Sequence, residues 1–400
     1  MPRPNLQRYA PWLYLPDGWD ATWRAAKSNA GSTPARILHL GDSLPTGNSV
    51  STFAKSYGEL LAANLVSRYG RYGDYWAAML TPDYSTPSDS PWSGALNSTA
   101  FSSIGTIGWH MQLYSGTVSS AIYRTFTSPY ACTSMEIHYV DCYPGSWQYQ
   151  VDGGTAQTVT NSSGAASAAN YTSKKVTISS LANTTHTLNF LNQSSNAAMM
   201  IQGVACYTNN SGGIYYSRFL GSGDKIHNYQ YNSGYPLDRA GLLTGKSPQN
   251  DATADSGNAY GYPLGPHLYI CQLFVNSVGN SDTAGELRDI QYQLAAAHRR
   301  AQQGASVLFI IPCYPFGSNN NGQPGPYDVT QDASHTNNGH TVGQYILEVY
   351  HAAQVLNAGV LNIHAKWGST PGGQGFMQNA NIHPIDAGHA DIANALISIL

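Results

Sequence analysis

Near-continuous apolar runs of strand length, Ile37 to Leu40, His267 to Val275 and Val307 to Ile311, alternate with stretches whose apolar residues recur at helical spacing. That alternation constrains the fold more than any other feature. Strands buried on both faces read as unbroken apolar segments, and they need helices to cover them. The helical stretches are Tyr57 to Arg68, with Leu60, Leu61, Leu65 and Val66 on one face, Ala284 to Gln303, Val342 to Leu356 and Ala387 to Leu400, for which Asp386 is the expected N-cap. With further strands at Ile214 to Tyr216 and Gly359 to Ile363, the expected domain is a mostly parallel sheet covered by helices on both faces, a three-layer α/β/α arrangement.

Between about Met111 and Tyr207 the pattern changes. Segments of β type, such as Met135 to Val140, Trp147 to Val151 and Lys175 to Ile178, recur between turn signals, and Asp152-Gly153-Gly154 is a hairpin cue. Short strands at this spacing predict an antiparallel β-sandwich inserted into the α/β domain. The expected organisation is an N-terminal cover over residues 1–34 with a helix at Asp20 to Ser28, α/β parts over 35–110 and 213–400, and the sandwich over 111–212. The Gly-, Pro- and Ser-rich stretch from Tyr69 to about Trp109 reads as long loops around a few short strands.

Composition narrows the partners. Charged residues make up 10% of the chain and the formal net charge is -3, which excludes the basic footprint that nucleic acid or an anionic membrane surface requires. No apolar run approaches the roughly 20 residues of a membrane span. Met1-Pro2-Arg3-Pro4 does not lead into a secretory apolar core, while the Gly-, Ser-, Thr-, Asn- and Tyr-rich surface is of the kind that faces carbohydrate. An extracellular or virion-associated setting is the expectation. The 5 cysteines are sparse and odd in number; Cys271 and Cys313 read as buried thiols, and Cys132 and Cys142 are candidates to pair across neighbouring strands.

The first apolar run ends in Gly41-Asp42-Ser43-Leu44, the layout of a strand that delivers a serine to the carboxyl edge of a sheet. Serine needs a positioned base, and the far end of the chain supplies one at Ile382-His383-Pro384, just before the last helix. In this order the chain resembles the SGNH (GDSL-type) hydrolases, which carry four short blocks. Gly41-Asp42-Ser43-Leu44 matches the first and places Ser43 as nucleophile. Ser222-Gly223-Asp224 is the best match for the glycine block, with Gly105 and Gly108 as runner-up. Val275-Asn276-Ser277 keeps the asparagine of the third block, and His383-Pro384 keeps the histidine of the fourth, where Ala380 stands at the family's aspartate position.

The resemblance implies a flavodoxin-like domain and an esterase using Ser43 and His383. The oxyanion would be held by the amides of Ser43 and Gly223 and the side chain of Asn276, each such donor being worth about 10²–10³ in rate. It implies no cofactor. Without the aspartate, the backbone carbonyl of Ala380 is the expected acceptor that orients His383, with Asn379 or Asn381 as weaker substitutes. A metal site made by His383, Asp386 and His389 is disfavoured, since the last two suit a cap and a first helical turn. Trp92, Trp109 and Trp367 are candidate sugar-stacking residues, with core or loop packing as the competing role. The expected reaction is hydrolysis of a small acyl ester, acetyl above all, on a polysaccharide. A non-catalytic glycan- or receptor-binding virion protein on the same scaffold and a lipase or general carboxylesterase are the alternatives.

Overall fold

The computed structural model describes residues 12–77, 90–94, 111–113, 122–141, 145–161, 172–191, 199–220, 265–274, 285, 288, 304–313, 342–368, 375–377 and 383–400. Its first elements are β1 (Leu13–Tyr14), α1 (Ala21–Ser28), β2 (Pro34–Gly41), α2 (Tyr57–Tyr69) and β3 (Arg71–Ala77). Nine strands follow: β4 (Trp92–Gly94), β5 (Met111–Leu113), β6 (Ile122–Thr127), β7 (Ser134–Asp141), β8 (Gly145–Val151), β9 (Gln157–Asn161), β10 (Thr172–Ile178), β11 (Thr187–Leu191) and β12 (Met199–Tyr207). The chain ends through β13 (Gly213–Leu220), β14 (Leu268–Gln272), β15 (Ser306–Ile311), α3 (Val342–Leu356), β16 (Gly359–Asn362), α4 (Ile363–Trp367) and α5 (Asp386–Ile399).

One large sheet runs β1-β16-β15-β14-β2-β13-β3-β12-β7-β10, with β5 also pairing β12. Its six strands from β16 to β3 are mutually parallel. Residues alternate between the two faces of β2 as strand geometry requires. Leu38 and Leu40 join Val307, Phe309, Tyr345 and Val349 beneath α3, while Ala35 and Ile37 join Trp23, Leu61, Leu65 and Ile392 beneath α1, α2 and α5. The α/β/α expectation is therefore met. The expected helix over residues 284–303 lies outside the described residues, apart from Gly285 and Arg288, which are helical.

The middle of the chain departs from expectation in its connectivity. The strands β12, β7 and β10 extend the large sheet by antiparallel pairing to β3, and only β4-β6-β11-β8-β9 form a separate sheet. The two layers share a core of Phe126, Met135, Ile137, Trp147, Leu188, Phe190 and Ile201, so the sandwich borrows one layer from the main sheet. The hairpin cue holds: Asp152 (φ 50°) and Gly153 (φ 68°) are both left-handed and Gly154 donates to the Val151 carbonyl, a turn that closes β8 on β9.

The stretch Arg71 to Ala77, inside the region read as long loops around a few short strands, is a strand of the sheet parallel to β13. Its apolar pattern is broken by Asp74, which is buried because Arg218 of β13 donates to it at 2.9 Å and Arg71 also pairs with it. A charge inside a strand is stable only with such a partner. Cys132 is a free, buried thiol that hydrogen-bonds Cys206 rather than a disulfide half; Cys142 lies outside the described residues. The buried state expected for Cys271 and Cys313 is found.

Candidate active site

Ser43 follows β2, the strand at the middle of the parallel run, where ligands of open α/β sheets collect beyond the carboxyl ends. The turn that carries it is tight. A Cβ on Gly41 would stand 2.4 Å from Pro45 Cγ, and Gly47 has φ +84°, so both positions require glycine. The Ser43 carbonyl is held by the Thr46 hydroxyl at 2.5 Å and the Asn48 amide at 3.3 Å. Across 340 residues of sequence, Ser43 Oγ lies 2.8 Å from His383 Nε2. At that distance a neutral imidazole with its proton on Nδ1 accepts the serine hydroxyl, the contact a nucleophile and its base must make.

Asp42 is fully buried, and its Oδ1 accepts the Leu44 amide at 2.9 Å and the Gln272 side-chain amide at 3.1 Å. Behind it runs a directional chain that sequence reasoning did not find. The Tyr216 hydroxyl donates to His39 Nδ1 at 2.7 Å, His39 Nε2 donates to the Tyr57 hydroxyl at 3.3 Å, and Tyr57 donates to Gln272 Oε1 at 3.1 Å. The order is consistent only with a neutral His39. Burial, helped by the charge of Arg218, lowers its pKa to about 3. The one available signal was a polar residue, His39, inside an apolar run.

His383 is placed by its neighbours on the last segment. Met377 bridges Pro384, and the Ile385 amide donates to the Phe376 carbonyl. Asp386, expected as the helix cap, lies one position inside α5, whose N-cap is Ile385. Its carboxylate instead takes the Ser51 amide at 2.8 Å, the Ser51 hydroxyl at 2.7 Å and Lys55 Nζ at 2.7 Å. These bonds, that to Lys55 first, lower its pKa to about 2. His389 Nδ1 accepts the Tyr57 amide at 3.1 Å, at the start of α2. Asp386 and His389 thus tie the histidine segment to the loop and helix that follow the serine. Asp386→Ala is expected to lower kcat about tenfold with little loss of stability, because a half-exposed ion pair contributes little to folding while small misplacement of a base is costly in rate. Parallel measurement of kcat and Tm checks this; an unchanged kcat would contradict the tie.

The strands on either side of β2 end level with it, Leu220 of β13 and Gln272 of β14 both pairing with Gly41. The chain continues from them to Gly223 and Asn276, which lie outside the described residues, as do Ala380, Asn379, Asn381, Gly105, Gly108 and Trp109. Trp367 is buried, stacks on Phe376 and donates Nε1 to Asp391 at 2.7 Å. It is a core residue, not a sugar platform. Trp92 is likewise buried, wedged between Phe126 and Phe190 of the smaller sheet. Among the described residues no group of three metal-ligating side chains converges.

A solved peptidoglycan O-acetylesterase matches this structure with a TM-score of 0.61, over 95% of this chain and 95% of that one, at 15% identity. The fold is that of the SGNH hydrolases. Two other solved structures are similar at lower scores. A family two carbohydrate esterase from Clostridium thermocellum is 13% identical, over 73% of this chain and 96% of that one, with a TM-score of 0.28. The lipase/acylhydrolase from Enterococcus faecalis is 11% identical, over 46% and 75%, with a TM-score of 0.30. No protein-family model and no curated protein matches the sequence. The likeness is therefore one of fold, seen in three dimensions at 15% identity.

The histidines packed in this α/β domain make its stability sensitive to acid. Burial lowers His39 and His364 to about 3 and His389 to about 4; burial and the neighbouring Arg36 lower His267 to about 4. Each stays neutral in the native state while its unfolded counterpart takes a proton below about pH 6.5, so stability is full above that pH and falls as pH drops toward 4. A Tm that declines progressively between pH 7 and pH 4.5 is expected. A flat profile would mean that these rings are solvated.

Proposed function

We propose that the chain is a serine esterase that removes small acyl groups, acetyl above all, from a polysaccharide. The observation that carries this reading is the 2.8 Å contact between Ser43 Oγ and His383 Nε2 at the carboxyl edge of the parallel sheet. In the proposed cycle, Ser43 Oγ attacks the acyl carbon as its proton passes to His383 Nε2. The tetrahedral intermediate collapses when that proton is given to the departing sugar hydroxyl, leaving the acyl group on Ser43. Water, deprotonated by the same imidazole, then releases the acid and restores the serine. The amides of Ser43 and Gly223 and the Asn276 side chain are the proposed oxyanion donors, and the Ala380 carbonyl the proposed partner of the His383 Nδ1 proton.

Two features favour a compact acyl group. Ser43 is only 4% exposed, which leaves little room around the hydroxyl for a long chain. The neighbour of matching length is a peptidoglycan O-acetylesterase, an enzyme of acetyl esters on a glycan. The test is a panel of nitrophenyl esters of increasing chain length together with O-acetylated polysaccharides. Turnover that is highest for acetate and falls beyond butyrate is expected, with acetate released from at least one polysaccharide. A rate that rises with chain length would indicate a lipase instead, and no turnover of any ester would leave a glycan-binding protein.

A further inference from the structure

The peptide that joins Ser43 to Leu44 is held at both of its polar atoms. Its carbonyl accepts from the Thr46 hydroxyl and the Asn48 amide, and its N–H donates to Asp42 Oδ1 at 2.9 Å. Thr46, Asn48 and Asp42 all belong to the turn itself. Asp42 is the one tied to another strand, because its Oδ1 also accepts the Gln272 side-chain amide at 3.1 Å. Gln272 is the last residue of β14 and pairs with Gly41, so it stands level with the start of the turn that carries the nucleophile.

A buried side-chain amide is costly unless both of its ends are bonded. Here both are: Nε2 donates to Asp42 and Oε1 accepts from the Tyr57 hydroxyl at 3.1 Å. Behind Tyr57 stand His39 of β2 and Tyr216 of β13, at steps of 3.3 and 2.7 Å. An amide turned the other way would set Oε1 against Asp42 Oδ1, two acceptors facing each other. The bonds therefore run in one sense, from Tyr216 through His39, Tyr57 and Gln272 to Asp42. All five side chains are 1% exposed or less. Apolar residues of the same shape would fill that space without the cost of desolvation, so a series of polar groups here needs another reason. The series ends on the carboxyl group that shapes the serine turn.

We propose that Gln272 is a positioning residue for the nucleophile: by fixing Asp42 it fixes the Ser43–Leu44 peptide, and with it the direction in which Ser43 presents Oγ to His383. Gln272 acts through Asp42 and the turn, so its loss displaces a reacting atom and lowers turnover while leaving ground-state binding nearly unchanged. The inference rests on the esterase reading, and the experiment keeps the two apart.

Full-length wild type, Gln272→Met and Gln272→Glu are compared in hydrolysis of nitrophenyl acetate between about pH 5.5 and pH 8, at a temperature at which circular dichroism shows each protein folded. Gln272→Met keeps the volume and removes both bonds. It is expected to lower kcat about 10- to 100-fold across the range, with KM changed by less than about twofold. Gln272→Glu keeps the shape and sets a carboxylate oxygen against Asp42. The titratable groups facing position 272 are Asp42 on the turn and Tyr57 on α2, with His39, Tyr216 and the neighbouring Cys271 thiol next to them; the Arg218 cation lies over the Tyr216 ring and is bonded to Glu59 and Asp74. Two adjoining carboxyl groups in such a place take up one shared proton as pH falls, which restores a donor between them. The kcat of Gln272→Glu relative to wild type is expected to be lowest near pH 8 and to rise toward pH 5.5, the division by wild type removing the titration of His383. A purely structural glutamine would lower Tm in both variants and leave kcat of the folded protein as in wild type. That result, or a Gln272→Glu ratio that is flat with pH, would overturn the inference; if Gln272→Met does not fold, the Gln272→Glu ratio decides alone. A wild type that cleaves no ester would sink the esterase reading and the role of Gln272 with it, whereas an active wild type with unaffected variants overturns the role only.

Discussion

Replacing Ser43 by alanine is expected to lower kcat on an acetate ester by about 10⁴-fold or more, and replacing His383 by alanine to do nearly the same. The two side chains act as one unit, since Oγ becomes a competent nucleophile only as Nε2 takes its proton over the 2.8 Å between them. The double variant should consequently be no slower than either single one. Additive losses would mean that the residues act in separate steps. Equal rates for wild type and Ser43→Ala would remove the serine from the mechanism altogether. Neither substitution should lower Tm by more than a few degrees, because neither side chain is part of the apolar core.

The largest expected effect on stability is at Arg218. Arg218→Met is expected to cost about 3–5 kcal/mol, seen as a lower urea midpoint and a lower Tm. The guanidinium is 3% exposed and engages Glu59 through two bonds; its removal leaves that carboxylate buried without its hydrogen-bonded cation, whereas Asp74 retains its pair with Arg71. Burial acts against the Arg218 charge, but the two carboxylates outweigh it and hold the side chain more firmly protonated than usual. A second substitution, Glu59→Leu, should restore most of the loss, because replacing both members of a buried pair removes the unpaired charge as well as the attraction. If the single variant were as stable as wild type, solvent would have to reach Glu59.

The sheet's helix-covered half was legible because its strands are apolar on both faces. Ile37 to Leu40, Leu268 to Cys271 and Val307 to Ile311 announce themselves, as do the helices at Tyr57 and Val342. The strand Arg71–Ala77 did not, since Asp74 breaks the pattern and its partner lies 144 residues away in β13. The sandwich was legible as strands, but its sharing of a layer with the main sheet was not. Which sheet a strand joins depends on pairings such as Gly203 with Ala77, and no local signal encodes them.

For the site, the sequence by itself determined the chemistry on offer: a serine after a buried strand, a histidine before a final helix, and few alternatives to a nucleophile and base. The structure adds why glycine stands at 41 and 47, where the turn leaves no space or needs a left-handed backbone. Only the tertiary structure decided the roles that depend on distance. It brought His383 within reach of Ser43, set Asp42 against Gln272, and moved Asp386 from a cap to a tie on Ser51 and Lys55. The physical reason is common to all of these. A residue's type fixes what it can donate, accept or bury, but hydrogen bonds act over about 3 Å, and packing of the whole chain selects which groups come that close.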